Sequence, residues 1–316
     1  MKALFLILLV IFFPQANVLA SDRPAIKARL VTRSLLLDVC RTGNNVVAVG
    51  ERGHILVSTD NGNTWQQSDV PTQATLTAVF FHNAHLGWAV GYDATILHSS
   101  DGGIHWQHQY RAPRKESPLL DVWFKNAEQG IAIGAYGLFL ATQDSGLTWQ
   151  EQPINELDDF HLNAVTTTPD GDLFIAGEMG ALYHAQPNSQ DWTPLNSPYE
   201  GSFFGILPLA QNGLLTFGLR GNIYRSNDKG LNWRKITLQK QTSLMGGTVL
   251  KDGTVTIGGI GGYLFISKDN GQSFSQWQRP DGKAISSVAE TVDSFLVLVG
   301  EFGVERVNPK SILGLK

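Results

Sequence analysis

Residues 58–65 read STDNGNTW: a hydroxyl, a carboxylate two residues on, a run of turn formers and a closing indole. A carboxylate set among hydroxyls and backbone N–H groups could hold a cation or activate a water. A calcium loop is excluded, because the spaced carboxylates and terminal glutamate it needs do not follow Asp60. His82 and His85 form an H-x-x-H pair, as do His105 and His108. On a helix that spacing would aim two imidazoles at one metal, but both pairs fall in turn and strand sequence. They read as surface histidines, and neither a metal nor a cofactor is expected.

The octapeptide recurs, which decides its meaning. SSDGGIHW stands at residues 99–106, TQDSGLTW at 142–149, SNDKGLNW at 226–233 and SKDNGQSF at 267–274, with a worn copy, AQPNSQDW, at 185–192. A catalytic device is rarely copied five or six times, so the carboxylates Asp60, Asp101, Asp144, Asp228 and Asp269 read as structural. So do the closing aromatics Trp65, Trp106, Trp149, Trp192, Trp233 and Phe274. A second marker, a Gly-x-x-Gly turn after an apolar run, begins at Gly50, Gly91, Gly134, Gly177, Gly218, Gly259 and Gly300, with spacings of 41, 43, 43, 41, 41 and 41 residues. Ala94 takes the second glycine's place in the Gly91 copy. A fixed period in this range is the signature of a repeat architecture.

Each period holds four short apolar runs joined by Gly, Asn and Asp, as one propeller blade requires. Seven leading glycines predict an all-β, seven-bladed β-propeller of four-stranded blades. The box then forms the turn between the third and fourth strands. Its carboxylate is expected to bond turn N–H groups, and its aromatic to pack between strands of its own blade. The chain ends soon after the seventh glycine, so the last blade lacks an outer strand. Residues 25–31, AIKARLV, are expected to supply it and close the ring.

Residues 1–20 combine Lys2, an apolar stretch at residues 4–13, and Val18-Leu19-Ala20, the pattern of a secretory signal peptide cleaved after Ala20. The expected mature protein, residues 21–316, is then one exported domain without a membrane span, periplasmic in a bacterium. The lone Cys40 excludes an internal disulfide and reads as a small buried hydrophobe. A net charge of -4 argues against a nucleic-acid partner.

The S/T-x-D-x-G-x-T-W box with its preceding Gly-x-x-Gly resembles the BNR, or Asp-box, repeat. Even spacing in a single domain after a signal peptide is most similar to the photosystem II stability/assembly factor-like family, over roughly residues 25–308. That family has bacterial relatives outside photosynthetic species. The resemblance implies a non-catalytic, exported scaffold or assembly factor that holds protein subunits of a membrane complex. In a photosynthetic source its compartment would be the thylakoid lumen. The alternative is a carbohydrate-binding or sialidase-like glycosidase. Its arginine triad and Arg-Ile-Pro motif have no counterpart, since Arg33, Arg41, Arg52, Arg220 and Arg306 share no repeat position.

The residues between the paired glycines vary from blade to blade on a constant turn: Glu51 and Arg52, Tyr92 and Asp93, Ala135 and Tyr136, Glu178 and Met179, Leu219 and Arg220, Ile260 and Gly261, Glu301 and Phe302. Variable tips on a fixed scaffold build binding faces, and Tyr, Arg, Met and Phe are interface anchors. The blade connection with Arg111, Arg114 and Lys115, followed by the one with Glu156, Asp158 and Asp159, adds adjacent positive and negative patches. The partner expected on this face is a protein or peptide, bound by a monomer.

Overall fold

The computed structural model describes residues 23–112, 117–154, 159–189 and 191–313. The signal sequence, Arg114, Lys115, Glu156 and Asp158 lie outside them. Seven antiparallel sheets follow one another along the chain, each an up-and-down meander, and form a seven-bladed β-propeller. Blade 1 is β1 (Leu36–Thr42), β2 (Asn45–Gly50), β3 (Ile55–Ser58) and β4 (Gln66–Gln67). The inner strands of blades 2 to 7 are Leu76–Phe81, Leu119–Phe124, Leu162–Thr167, Phe203–Leu209, Leu244–Val249 and Ile285–Glu290. Each inner strand has a register shift near its start, between Leu36 and Asp38 in blade 1. The shift recurs between Leu119 and the residues that follow it in blade 3. Such bulges increase local twist and turn a side chain inward.

The core consists of seven apolar clusters, each lying between two neighbouring blades. One joins Val47 and Val57 of blade 1 to Leu76, Ala89 and Trp106 of blade 2. The next joins Val90 and Ile96 of blade 2 to Leu119, Leu140 and Trp149 of blade 3. The box aromatics therefore meet the preceding blade as well as their own, where Phe81 and Phe124 of the inner strands lie edge to face with Trp106 and Trp149.

Ring closure also departs from expectation. Among the described residues the last sheet has three strands, ending at Gly303–Val307. Residues 25–31 run instead beside β4 of blade 1. The Ala25 amide donates to the Val70 carbonyl at 2.9 Å, and the Ala28 amide donates to Gln67 Oε1 at 2.9 Å. With those donors engaged, the stretch pairs with no strand of blade 7, and Ile26 and Leu30 are left exposed. The joint is made by packing of Val31 with Val39, Val297 and Val299. Two polar contacts reinforce it: Ser287 Oγ donates to Asp38 Oδ1 at 2.8 Å, and Arg306 Nε donates to the Asn61 carbonyl at 2.8 Å.

Candidate functional site: the tip face and the central channel

In the box, Ser58 Oγ donates to Asp60 Oδ1 at 2.8 Å while accepting the Gly62 amide at 2.8 Å. The Thr64 amide and hydroxyl donate to the two Asp60 oxygens at 2.9 and 2.7 Å. The Thr64 hydroxyl, then its amide and Ser58, hold the Asp60 carboxyl down at about 2. The same bonds recur around Asp144 and Asp269. Both carboxylate oxygens are occupied by the turn itself, which leaves the box no free base. The Trp106 indole, 4% exposed, donates to the Gly103 carbonyl at 2.9 Å and meets Phe81 edge to face at 5.9 Å.

The histidine pairs stay apart chemically. His105 Nδ1 lies 2.6 Å from Asp101 Oδ2, whereas His108 Nε2 lies 3.2 Å from the Pro71 carbonyl. Among the described residues no three His, Cys, Asp or Glu side chains are grouped to hold a metal. The arginines are likewise dispersed. Arg52 and Arg220 stand on tips of blades 1 and 5, while Arg306 pairs with Asp293 at 2.6 Å on blade 7.

The paired glycines explain the tips. At Gly50 a Cβ would stand 2.2 Å from the Leu35 carbonyl oxygen, so the turn can tuck under the start of its own inner strand only without a side chain. At Gly53 the backbone is left-handed, φ +71°, and a Cβ would stand 2.0 Å from the Thr72 carbonyl of the connection to blade 2. The residue just before this second position is also left-handed: Arg52, Asp93, Tyr136, Met179 and Arg220 have φ between 53° and 58°. A non-glycine residue pays about 1–2 kcal/mol for that conformation. The strain recurs at the same turn in five blades and lifts the side chain off the ring.

Of the residue pairs expected on this face, Tyr92, Tyr136, Met179 and Ile260 are 52%, 60%, 60% and 49% exposed. Arg52, Arg220 and Arg111 are exposed as well. Three glutamates turn back onto the scaffold. Glu51 accepts the Leu35 amide at 3.2 Å, Glu178 the His161 amide at 3.3 Å and Glu301 the Ala284 amide at 2.8 Å. Phe302 is half-buried in the cluster between blades 6 and 7, with the Arg279 guanidinium 3.6 Å over its ring. The turn of blade 7 is a tight hairpin, with Gly300 paired to Gly303, so its second residue folds inward. Asp159 is exposed.

The sequence reading missed the channel carboxylates. Asp38 and Asp121 occupy the same bulge position in blades 1 and 3 and line a central cavity of 410 Å³. Each reaches the next blade: Asp38 Oδ2 accepts the Val79 amide at 2.9 Å, and Asp121 Oδ2 the Val165 amide at 2.8 Å. Thr77 and Asn163 make the corresponding links to the Leu119 and Phe203 carbonyls at 2.7 Å. Burial pushes the Asp121 carboxyl up to about 7, against the pull of the Val165 amide and with help from the negative charge of Asp38. The twin tetrapeptides LLDV at residues 36–39 and 119–122 held the signal, an acid inside an apolar run.

Fold and box together define a BNR-repeat propeller. Residues 63–117 and 111–296 match the profile of the photosynthesis system II assembly factor YCF48 family, and the chain belongs to that family. A stretch of 45 residues is 53% identical to the photosystem II assembly protein Ycf48 of Synechococcus sp. (strain JA-3-3Ab), covering 14% of each chain. A longer match, 22% identical over 193 residues, covers 60% of this chain and 45% of the photosystem II assembly lipoprotein Ycf48 of Synechococcus sp. (strain CC9902). The matched stretches thus span less than half of these relatives. Among solved structures, YCF48 bound to D1 peptide superposes with a TM-score of 0.72 at 19% identity, covering 87% of this chain and 93% of that one. YCF48 from Cyanidioschyzon merolae gives 0.69 at 18% identity, covering 92% and 100%. A streptogramin B lyase gives 0.76 at 12% identity, covering 88% and 94%, so likeness at this level concerns the fold alone.

Proposed function

We propose that this protein is an exported, non-catalytic assembly factor that holds a polypeptide segment of a membrane-complex subunit on the face formed by the Gly-x-x-Gly tips. The observation that carries the reading is the repeated strained turn, which holds Tyr92, Tyr136 and Met179 in solvent beside Arg52 and Arg220. Apolar and aromatic anchors supply affinity, and the two guanidiniums favour a segment with acidic groups or a terminal carboxylate. A solved relative by fold carries a D1 peptide, which supports a peptide ligand. Membership of the family supports an assembly role. The box carboxylates are bonded within their own turns and the arginines are dispersed, which speaks for a structural rather than a sialidase-like use of the repeat.

The test is crosslinking in the native compartment, followed by capture of the identified segment with variants. Changing Arg52, Tyr136, Met179 and Arg220 together to Ala should weaken capture thirtyfold or more, corresponding to about 2 kcal/mol. Melting should shift little, since exposed turn residues usually matter within about 0.5 kcal/mol each. A control on the opposite face changes the exposed Leu147 and Leu231. Loss of capture in the control, with the tip variant unaffected, overturns the assignment.

A further inference from the structure

Between blades 3 and 4 the buried part of the apolar cluster stops short of the box, and the packing over Ile131 is incomplete. Where blade 2 meets blade 1, Gly103 of the box lies directly on Val47 of the preceding second strand; a Cβ there would stand 2.8 Å from it. Gly62 sits in the same way on Val297, and Gly271 on Leu215. The blade 4 copy has Pro187 for the aspartate and Ser189 for the glycine. Ile131 holds the position equivalent to Val47, facing Trp123 across the sheet as Val47 faces Cys40. The equivalent residues of the other blades are Val47, Trp88, Phe174, Leu215, Thr256 and Val297, all 0% exposed. Ile131 alone is half-exposed. A cleft of 180 Å³ opens over it.

The lining has a definite chemistry. Trp123 and Trp192, both half-buried, present indole surface to the cleft, and Trp192 is propped edge to face by Phe139 at 5.9 Å. Gln129, Gln143, Gln152 and Asn188 line it with side-chain amides; among the described residues Lys125 contributes the one charge and no carboxylate lines it. Each amide offers a donor and an acceptor side by side, as a hydroxyl does. An apolar ring face with convergent polar groups is the usual form of a small-molecule site. One water needs ~10–15 Å³ of such space, so the cleft takes about a dozen non-hydrogen atoms, the size of one hexose.

We infer that the cleft between blades 3 and 4 binds a single pyranose ring, neutral or acidic, stacked on the indoles of Trp123 and Trp192. The amides match vicinal hydroxyls, and Lys125 together with the lack of a carboxylate disfavours cationic ligands. In the free protein Gln129 donates to Gln143 Oε1 at 2.8 Å, and Lys125 donates to Asn188 Oδ1. Binding must exchange these bonds, so affinity for a free monosaccharide is millimolar.

The experiment is saturation-transfer NMR on the full chain with glucose, galactose, N-acetylglucosamine and N-acetylneuraminic acid, with indole fluorescence for affinity. At least one sugar should bind saturably, and Trp123→Ala and Gln152→Ala should each weaken it at least about tenfold. Rebuilding the box with Ala185→Ser, Pro187→Asp and Ser189→Gly should bury Ile131, raise the melting temperature and abolish sugar binding. The point variants do not depend on the rebuilt box folding. Absence of saturable binding by all four sugars overturns the inference, as does binding that survives both point variants. Blocking of the cleft by a tryptophan-bearing peptide but by no sugar overturns the ligand class.

Discussion

Asp121 makes the channel sensitive to pH in a direction opposite to the surface carboxylates. Its folded carboxyl titrates at about 7, against 3.8 unperturbed. A carboxyl raised on folding keeps a proton that the unfolded chain gives up. Its stabilising contribution is therefore complete below about 4 and lost as pH rises to about 7. Between pH about 5 and about 8 the shift corresponds to about 3 kcal/mol at 1.36 kcal/mol per unit. Channel water reduces this to about 1–3 kcal/mol. Asp121→Asn removes the charge and keeps an acceptor for the Val165 amide. Its melting temperature, measured across that window and subtracted from the wild-type value, reports this group together with its coupling to Asp38. At about 2–4 °C per kcal/mol, the variant should gain about 2–12 °C relative to wild type between the acid and alkaline ends. A difference that stays constant with pH, or that changes in the opposite sense, refutes the reasoning, because the carboxyl would then be ionised throughout.

Trp106→Ala should cost about 3–5 kcal/mol in denaturant unfolding, because it empties a buried site between blades 1 and 2; an unchanged midpoint would mean that the ring does not tie the blades together. Gly53→Ala should destabilise by more than the 1–2 kcal/mol of a left-handed alanine, since its Cβ also meets the Thr72 carbonyl, and melting of that single variant measures it. Asp60, held at about 2 chiefly by the Thr64 hydroxyl, contributes stability that is present above the ordinary carboxyl range and lost as pH falls through about 2. The acid-unfolding curve of Asp60→Asn should accordingly lose part of the wild-type slope in that range. N-terminal sequencing of the mature protein should begin at Ser21; an intact Met1 in the soluble fraction would refute cleavage.

Period and turn chemistry carried the fold, because every blade repeats the same local demands. Gly50 and Gly53 are needed wherever the turn passes under two carbonyls, so they recur and are legible. What lies between repeats is less legible. A period shows that Trp106 returns every blade, but not that its ring covers the blade before it. Residues 25–31 alternate like a strand, yet their donors find partners on blade 1 first. Phe302 shares the repeat position of Met179, but a tighter hairpin folds it under Arg279. The channel acids escaped notice because Asp38 answers to Val79, its counterpart one blade away. The open cleft at Ile131 was visible only as a defect in AQPNSQDW, and a defect does not announce what occupies the space it leaves.

The joint between the first and last blades gives the ring a seam. Links between adjacent blades span 41 residues, as from Asp38 to Val79, whereas Ser287 and Asp38 are 249 residues apart. In chain statistics the longer closure costs only about 1.6 kcal/mol more, because the entropy grows with the logarithm of length. A single apolar cluster such as that around Val31 and Val297 outweighs that difference. With no strand shared across it among the described residues, the seam can form after all the blades are built and part without unravelling a sheet. The molecule thus behaves mechanically as a clasped bracelet, with its clasp beside the Arg306 and Asn61 contact.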